Sequence, residues 1–185
     1  MDTIDRGVFA DPRHGDLAFE DCMLPIACGQ TMLRPSTIGR LLQTLELSGQ
    51  DTTRALLVGG GSGYLACLMA QMAEHVFGVE RYAALASSLT ERFESLGVSN
   101  VTVRHGDGLK GWPERGPFDR IALSGAVETI PPVLVPQLSP GGLAVAPIQT
   151  TGGTVLQRLE KGGLSTEAAL PITVPPLVEG VAAAL

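Results

Sequence analysis

The stretch Ala55-Leu-Leu-Val-Gly-Gly-Gly-Ser-Gly-Tyr64 decides the fold class of this 185-residue chain. Its first four residues belong to the run Arg54–Val58. This run is apolar after Arg54 and does not alternate with polar residues, as expected for a parallel strand covered on both faces. The run leads directly into a cluster of glycines, and apolar residues at helical spacing follow from about Ser62 to Ala73. A strand, a glycine turn and a helix in this order predict a ligand site at the carboxyl end of a parallel sheet.

The glycines of this turn are spaced as GxGxG, at positions 59, 61 and 63. Tyr64 stands where a dinucleotide-binding motif has its last glycine, which disfavours a nicotinamide-dependent dehydrogenase. The missing side chains let the backbone approach a ligand, and the helix that follows offers free N–H groups at its start. A tight turn without any ligand is the alternative explanation of the glycines taken alone.

Two carboxylates follow the next two strand-like runs. Glu80 comes after His75–Val79, about twenty residues beyond the glycine turn, and is suited to accept hydrogen bonds from two ribose hydroxyls. It is also suited to cap the helix predicted at Tyr82–Leu96. Asp107 is suited to accept from an adenine amine, although an ordinary Asp-Gly turn is the favoured explanation of this residue alone. A glycine turn and two carboxylates at three successive strand ends are typical of S-adenosylmethionine sites in doubly wound methyltransferases.

The rest of the chain alternates strand-like and helix-like segments, which predicts an α/β fold with a mostly parallel sheet. The further predicted strands are Val101–His105, Phe118–Leu123, Leu143–Ile148 and a hairpin of Thr154–Leu159 with Ala168–Val174. The length suits a single domain over residues 1–185. Within it, residues 1–35 are predicted to be an irregular segment, because prolines and glycines interrupt them, and residues 36–185 are predicted to form the core.

The remaining helices and turns are predicted from capping and breaker residues. Ser36 or Thr37 is expected to cap a helix that runs to about Leu47. A short helix is expected at Pro132–Leu138, before a turn at Pro140-Gly-Gly142.

Composition limits the partners of the protein. Its formal net charge is −6, aromatic residues make up 4%, and lysines and arginines do not cluster. These features argue against nucleic acid or an anionic membrane as a partner. Cys22, Cys28 and Cys67 are odd in number and lack metal-ligand spacing, so we expect no metal site and a reduced, cytoplasmic protein. Met1–Phe9 lacks the apolar core of a signal peptide. Nothing in the pattern predicts an oligomeric state.

Several short motifs share their order and spacing with one enzyme family. They are Phe19-Glu-Asp21, Leu24-Pro-Ile26, Gly29-Gln-Thr31, Gly59-Gly-Gly-Ser-Gly-Tyr64, Val79-Glu-Arg81, Gly106-Asp-Gly108, Gly111-Trp-Pro-Glu114 and Pro117-Phe-Asp-Arg-Ile121. Together they resemble the protein-L-isoaspartate (D-aspartate) O-methyltransferase family, and the agreement runs from about Arg6 to Leu177.

The resemblance implies a Rossmann-like class I methyltransferase fold, with a mostly parallel seven-stranded sheet flanked by helices. It implies that S-adenosylmethionine is the cofactor and S-adenosylhomocysteine the product, and that residues 1–35 form part of the acceptor side. The implied reaction methylates the carboxylate of isoaspartyl residues in damaged proteins or peptides. The implied cofactor-binding residues are Gly59, Gly61, Ser62, Gly63, Glu80, Arg81, Asp107 and Gly108.

The implied catalytic positions on the acceptor side are Thr31 and Leu33. Leu33 stands where the family has a serine that holds the acceptor, and leucine has no hydrogen-bonding group. Leu57 stands where the family has an acidic residue that orients the methionine end of the cofactor. These two departures leave open a methyltransferase with a different acceptor, or a cofactor-binding family member that has lost activity.

Overall fold

The computed structural model describes residues 4–47, 53–163 and 165–182, with the backbone alone over residues 165–171. The strands are β1 (Leu24–Pro25), β2 (Thr31–Met32), β3 (Arg54–Val58), β4 (His75–Glu80), β5 (Val101–His105), β6 (Phe118–Leu123), β7 (Leu138–Thr150), β8 (Gly153–Glu160) and β9 (Ser165–Ile172). The α-helices are α1 (Pro35–Leu45), α2 (Tyr64–Ala70) and α3 (Ala83–Ser95). Short 3₁₀ helices lie at Arg6–Phe9, Pro12–Leu17, Ala27–Gly29, Gly108–Lys110, Pro113–Arg115 and Pro132–Gln137. None of the described helices is long and apolar enough to cross a membrane.

A seven-stranded sheet in the order β5-β4-β3-β6-β7-β8-β9 organises the fold. The strands from β5 to β7 pair in parallel, and β8 and β9 add to the edge as antiparallel strands. This arrangement confirms the predicted α/β class and the mostly parallel sheet. After β3 the chain adds β4 and β5 on one side and then crosses to β6 on the other. In open α/β sheets, such a reversal of strand order marks the position of the ligand crevice.

The apolar run of β3 is explained by burial on both faces. Ala55 and Leu57 belong to one core cluster, which contains buried residues of α1, α2 and α3, and both are fully buried. Leu56 and Val58 point into a second cluster, which includes Phe77 and aliphatic residues of β6 and β7. The strand was predicted to its end residues, because continuous apolar sequence is what a strand between two layers requires.

The start of α1 corrects the sequence prediction. The helix begins at Pro35, so Ser36 and Thr37 lie inside it and neither of them is its cap. Proline at this position has a φ suited to the first helical turn. The Ser36 N–H donates instead to Asp21 Oδ1 at 2.8 Å. The capping group therefore comes from a residue that is distant in sequence.

Other boundaries also differ from the prediction. The helix α2 ends at Ala70, short of the predicted end near Ala73. Strand β7 already begins at Leu138, and the predicted turn at residues 140–142 lies within it. The register with β6 shifts at this point, and Gly141 has a φ of +72°. The glycine thus marks an irregularity inside a strand, as isolated glycines in strands often do.

The contact between Asp21 and α1 predicts a pH-dependent contribution to stability. The pKa of Asp21 is lowered because its carboxylate accepts the Ser36 N–H. The contribution should be complete above the unfolded pKa of about 4 and should be lost as the pH falls through the folded pKa. We expect Asp21→Ala to lower the melting temperature at pH 7, and the difference from the wild type to shrink below about pH 4. A difference that stays constant in thermal scans from pH 7 to pH 3 would contradict this role.

Candidate functional site

A cavity of about 340 Å³ lies at the carboxyl ends of β3, β4 and β6. Its lining comes from the glycine turn after β3, the ends of β4 and β6, residues 108 and 109 beyond β5, residues 29–33 around β2 and a segment at residues 175–178, with one residue each from α1 and α2. Its volume lies in the range of small-molecule sites. The position agrees with the ligand site that the sequence pattern predicted at this sheet edge.

The glycines of the turn serve different purposes. Gly59, Gly61 and Gly63 have φ values of +86°, +55° and +89°, which favour glycine. A side chain at Gly59 would collide with the hydroxyl of Ser124, and a Cβ at Gly63 would lie 2.6 Å from Leu89. A Cβ at Gly61 would meet only Ile26, at 3.9 Å. Gly59 and Gly63 are therefore needed for packing, whereas Gly61 leaves its backbone open to the cavity.

Glu80 connects the glycine turn to the start of α3. Its Oε2 accepts the Gly61 N–H at 2.9 Å and its Oε1 accepts the Tyr82 N–H at 3.0 Å. The side chain is buried, and the residue lines the cavity. A carboxylate oxygen has two acceptor positions, so each oxygen can accept one further hydrogen bond from a ligand. The cap role and the ligand role that the sequence suggested are therefore compatible in one residue.

Asp107 carries an acceptor without a hydrogen-bond partner next to the cavity. Its Oδ1 accepts the Leu109 N–H at 3.1 Å, which forms the Asp-Gly turn that the sequence suggested. Its Oδ2 is buried and accepts no hydrogen bond from the described residues, with the Lys110 ammonium 3.7 Å away. Gly108 lines the cavity, and a Cβ there would lie 2.7 Å from Val58. Because buried acceptors are rarely left unpaired, Oδ2 is suited to a donor from a ligand.

The acceptor wall, which we define as Thr31, Met32 and Leu33, forms another side of the cavity. The Thr31 hydroxyl is buried and has no hydrogen-bond partner within the part of the chain that the structure describes. Leu33 is buried and belongs to the core cluster on this face. The wall therefore offers one free hydroxyl and an otherwise apolar surface.

The rim of the cavity is held by contacts that the sequence did not reveal. The Gln30 amide nitrogen donates to the Tyr82 hydroxyl at 3.2 Å. Arg81 lines the cavity, but its Nε donates to the Gly180 carbonyl at 3.1 Å. The Leu177 N–H donates to the Ala126 carbonyl at 2.8 Å, which holds the segment at residues 175–178 over the edge of the sheet.

The structure brings most of the predicted site residues to one cavity. The predicted residues that line it are Thr31, Leu33, Gly59, Gly61, Ser62, Glu80, Arg81 and Gly108. Gly63 and Asp107 do not line it. Gly63 precedes the first residue of α2, and Asp107 leads into Gly108. The cavity is also lined by Gln30, Tyr82, Ser124 and residues 175–178, which the sequence did not predict as site residues. Gln30 belongs to the Gly29-Gln-Thr31 motif, but no local rule predicts that this motif and residues 175–178 share one rim.

Leu57, in contrast, does not reach this site. It is fully buried in the core on the α1 and α2 face and does not line the cavity. The side chain completes a buried strand, which is a role that does not need a ligand.

Comparison with known proteins agrees with this geometry. The sequence profile of the protein-L-isoaspartate(D-aspartate) O-methyltransferase family matches residues 1–180. The chain belongs to this family. It is 40% identical to the protein-L-isoaspartate O-methyltransferase of Maricaulis maris, over all of this chain and 87% of that protein. It is 41% identical to the enzyme of the same name from Azorhizobium caulinodans, over all of this chain and 86% of that protein.

A solved structure supports the fold. A beta-aspartate methyltransferase from Plasmodium falciparum, determined with S-adenosyl-L-homocysteine, superposes with a TM-score of 0.80 and 24% identity. The match covers 94% of this chain and 85% of that one. The Rossmann-like class I methyltransferase fold that the sequence suggested is thereby confirmed.

The two contacts of Glu80 predict a stability cost for Glu80→Gln. An amide at this position presents its NH₂ group to one of the two backbone N–H groups, and a buried donor then faces another donor. We expect the free energy of unfolding to fall by about 1–3 kcal/mol in urea titrations. Glu74→Gln is the matched control, because Glu74 is exposed just before β4, and it should stay within about 0.5 kcal/mol of the wild type. Equal effects of the two substitutions would contradict the role of Glu80.

Proposed function

We propose that this protein is an S-adenosylmethionine-dependent protein carboxyl O-methyltransferase that acts on isoaspartyl residues of damaged proteins. The observation that carries the proposal is agreement with relatives of this name at about 40% identity along the whole chain. The cavity supports it, because it lies where the class I fold binds its ligand.

The residues of the cavity fit the cofactor. Glu80 keeps free acceptor positions that suit the ribose hydroxyls. The unpaired Oδ2 of Asp107 suits the adenine amine. The open backbone at Gly61 and the glycine turn around it suit the methionine end. We therefore assign Gly59, Gly61, Ser62, Gly63, Glu80, Arg81, Asp107 and Gly108 to cofactor binding, with Gly63 and Asp107 acting from just behind the lining.

At two positions, Arg81 and Leu57, the proposed cofactor contacts are fewer than the family motif implies. The Arg81 side chain is engaged by Gly180, so we assign it to closing the rim. The position of Leu57 lacks the acidic group of the family, so the methionine end is held by the glycine turn without it.

When bound at these residues, S-adenosylmethionine would supply an electrophilic methyl group to an oxygen of the substrate carboxylate, with cleavage of its sulfur–methyl bond and S-adenosylhomocysteine as the leaving product. That carboxylate is ionised at neutral pH, so the chain does not have to supply a general base. Its residues instead orient the acceptor and exclude water. The unpaired Thr31 hydroxyl is suited to donate to the acceptor carboxylate, and Leu33 gives the acceptor an apolar wall.

The remaining assignments concern the domain organisation, the binding partners and the cellular compartment. We infer a single domain in which residues 1–35 form part of the acceptor side and residues 36–185 form the S-adenosylmethionine-binding core. The partner is a protein or peptide with an isoaspartyl residue. The net charge of −6 supports neither nucleic acid nor an anionic membrane. Cys22, Cys28 and Cys67 are all free, which supports the cytoplasm as the compartment.

Methyl transfer to matched peptides tests the proposed function. With labelled S-adenosylmethionine, we expect ester formation on an isoaspartyl peptide and none on the same peptide with a normal aspartyl residue. Calorimetric titration should also show micromolar binding of S-adenosylhomocysteine. Binding without turnover on the isoaspartyl peptide would reject the acceptor, and absence of binding would reject the whole assignment.

The apolar residue at Leu33 generates a second prediction. A hydroxyl at this position should hold the acceptor carboxylate, since hydrogen bonds to charged groups contribute about 1.5–3 kcal/mol. Leu33→Ala is the matched control, because it leaves a similar cavity without the hydroxyl. We expect the kcat/KM of Leu33→Ser for the isoaspartyl peptide to be about tenfold higher than that of Leu33→Ala. Both substitutions should lower the melting temperature. Equal kcat/KM values would show that the hydroxyl does not reach the acceptor.

A further inference from the structure

The 3₁₀ helix Arg6–Phe9 lies between the acceptor wall and the start of α2, which directly follows the glycine turn. At one end, the buried guanidinium of Arg6 donates to the Leu33 carbonyl at 3.0 Å and to the Cys22 carbonyl at 2.9 Å. It also donates to the Ala18 carbonyl at 2.6 Å. Arg6 takes part in none of the ion pairs found among the described residues. This buried charge is therefore compensated by backbone carbonyls, one of which belongs to the acceptor wall.

The other end of the same helix contacts the start of α2, directly after the glycine turn. The buried ring of Phe9 lies 5.4 Å from the ring of Tyr64, the first residue of α2. The Arg92 guanidinium lies 5.6 Å from the Phe9 ring centre and donates to the Ser62 carbonyl at 2.7 Å. Phe9 is thereby packed against the residue that follows the glycine turn and against the cation that binds the Ser62 carbonyl in that turn.

One short helix thus joins the wall that faces the methyl acceptor to the turn that faces the cofactor. Transfer of a methyl group depends closely on the alignment of donor and acceptor, and a misplacement of about 1 Å can cost about a hundredfold in rate. We propose that Arg6 is a positioning residue for methyl transfer, which fixes the acceptor wall at a set distance from the glycine turn. This inference rests on the proposed function, because it presupposes an acceptor at the wall.

The hydrogen bonds from residue 6 to carbonyls of several segments require the guanidinium group of an arginine. A guanidinium presents its donors in a rigid planar fork, so one group binds carbonyls from several segments in fixed directions. A lysine ammonium is a compact charge on a flexible stem and does not reproduce this fork. Arg6→Lys therefore keeps the buried positive charge but loses the fixed directions of the hydrogen bonds. A change in rate in this variant reports on the positioning of the acceptor wall and not on the charge.

The test measures the chemical step and cofactor binding separately. For Arg6→Lys we expect the single-turnover rate on the isoaspartyl peptide, at saturating peptide and cofactor, to fall by about tenfold or more. The Kd of S-adenosylhomocysteine should stay within about twofold of the wild type. The hydrogen bonds that Arg6 makes with the described residues go to Ala18, Glu20, Cys22 and Leu33, and none of these residues is assigned to the cofactor. Phe9→Leu loosens the other end of the helix and should also lower the single-turnover rate.

Arg120→Lys is the matched control for a purely structural loss. The Arg120 guanidinium also binds backbone carbonyls, those of Leu45 and Asp119, but it does not line the cavity. We expect this variant to lose thermal stability and to keep the wild-type single-turnover rate. The proposal is overturned if Arg6→Lys keeps the wild-type rate, or if both lysine variants lose rate to the same extent. If Arg6→Lys does not fold, Phe9→Leu decides, and an unchanged rate in that variant overturns the proposal.

Failure of this proposal is distinguishable from failure of the proposed function. A wild-type protein that does not methylate the isoaspartyl peptide rejects the function itself. A wild-type protein that is active, together with an Arg6→Lys variant that is equally active, rejects only the positioning role.

Discussion

The carboxylate of Glu80 is the group on which the rest of the site depends. Its two oxygens accept backbone N–H groups from the glycine turn after β3 and from the start of α3. One buried side chain thereby sets the ends of two neighbouring strands relative to each other. Since each oxygen retains an acceptor position, the group that builds the site is also free to bind a ligand. The observed structural role of Glu80 is therefore compatible with the proposed role in binding the cofactor.

The two halves of the cavity are built in different ways. The cofactor side follows from the sheet, because the carboxyl ends of β3 and β4 place the glycine turn and Glu80 next to each other. The acceptor side has no such support, since β1 and β2 form only a two-residue ladder. Its order depends on the buried guanidinium of Arg6 and on the carboxylate of Asp21. Side-chain hydrogen bonds to the backbone take the place of regular structure there.

The sequence predicted those features that depend on local pattern. Strand β3 has its predicted ends because its apolar run matches burial on both faces, and the glycine turn follows from it directly. The cap of α1 was missed because its acceptor, Asp21, is far away along the chain. The contact between Gln30 and Tyr82 joins segments that only the folded sheet brings together. Periodicity and capping rules describe near neighbours, so such tertiary contacts lie outside what they can predict.

The positions of the cavity walls in the sequence also determine when the cavity forms during synthesis of the chain. The acceptor wall comes from residues 31–33 and the opposite cover from residues 175–178, so nearly the whole chain lies between them. A nascent chain on the ribosome presents the glycine turn and Glu80 long before the cover is synthesised. Contacts of such high sequence separation form late, because loop closure must precede them. The lining of the cavity is therefore complete only once translation has passed residue 178.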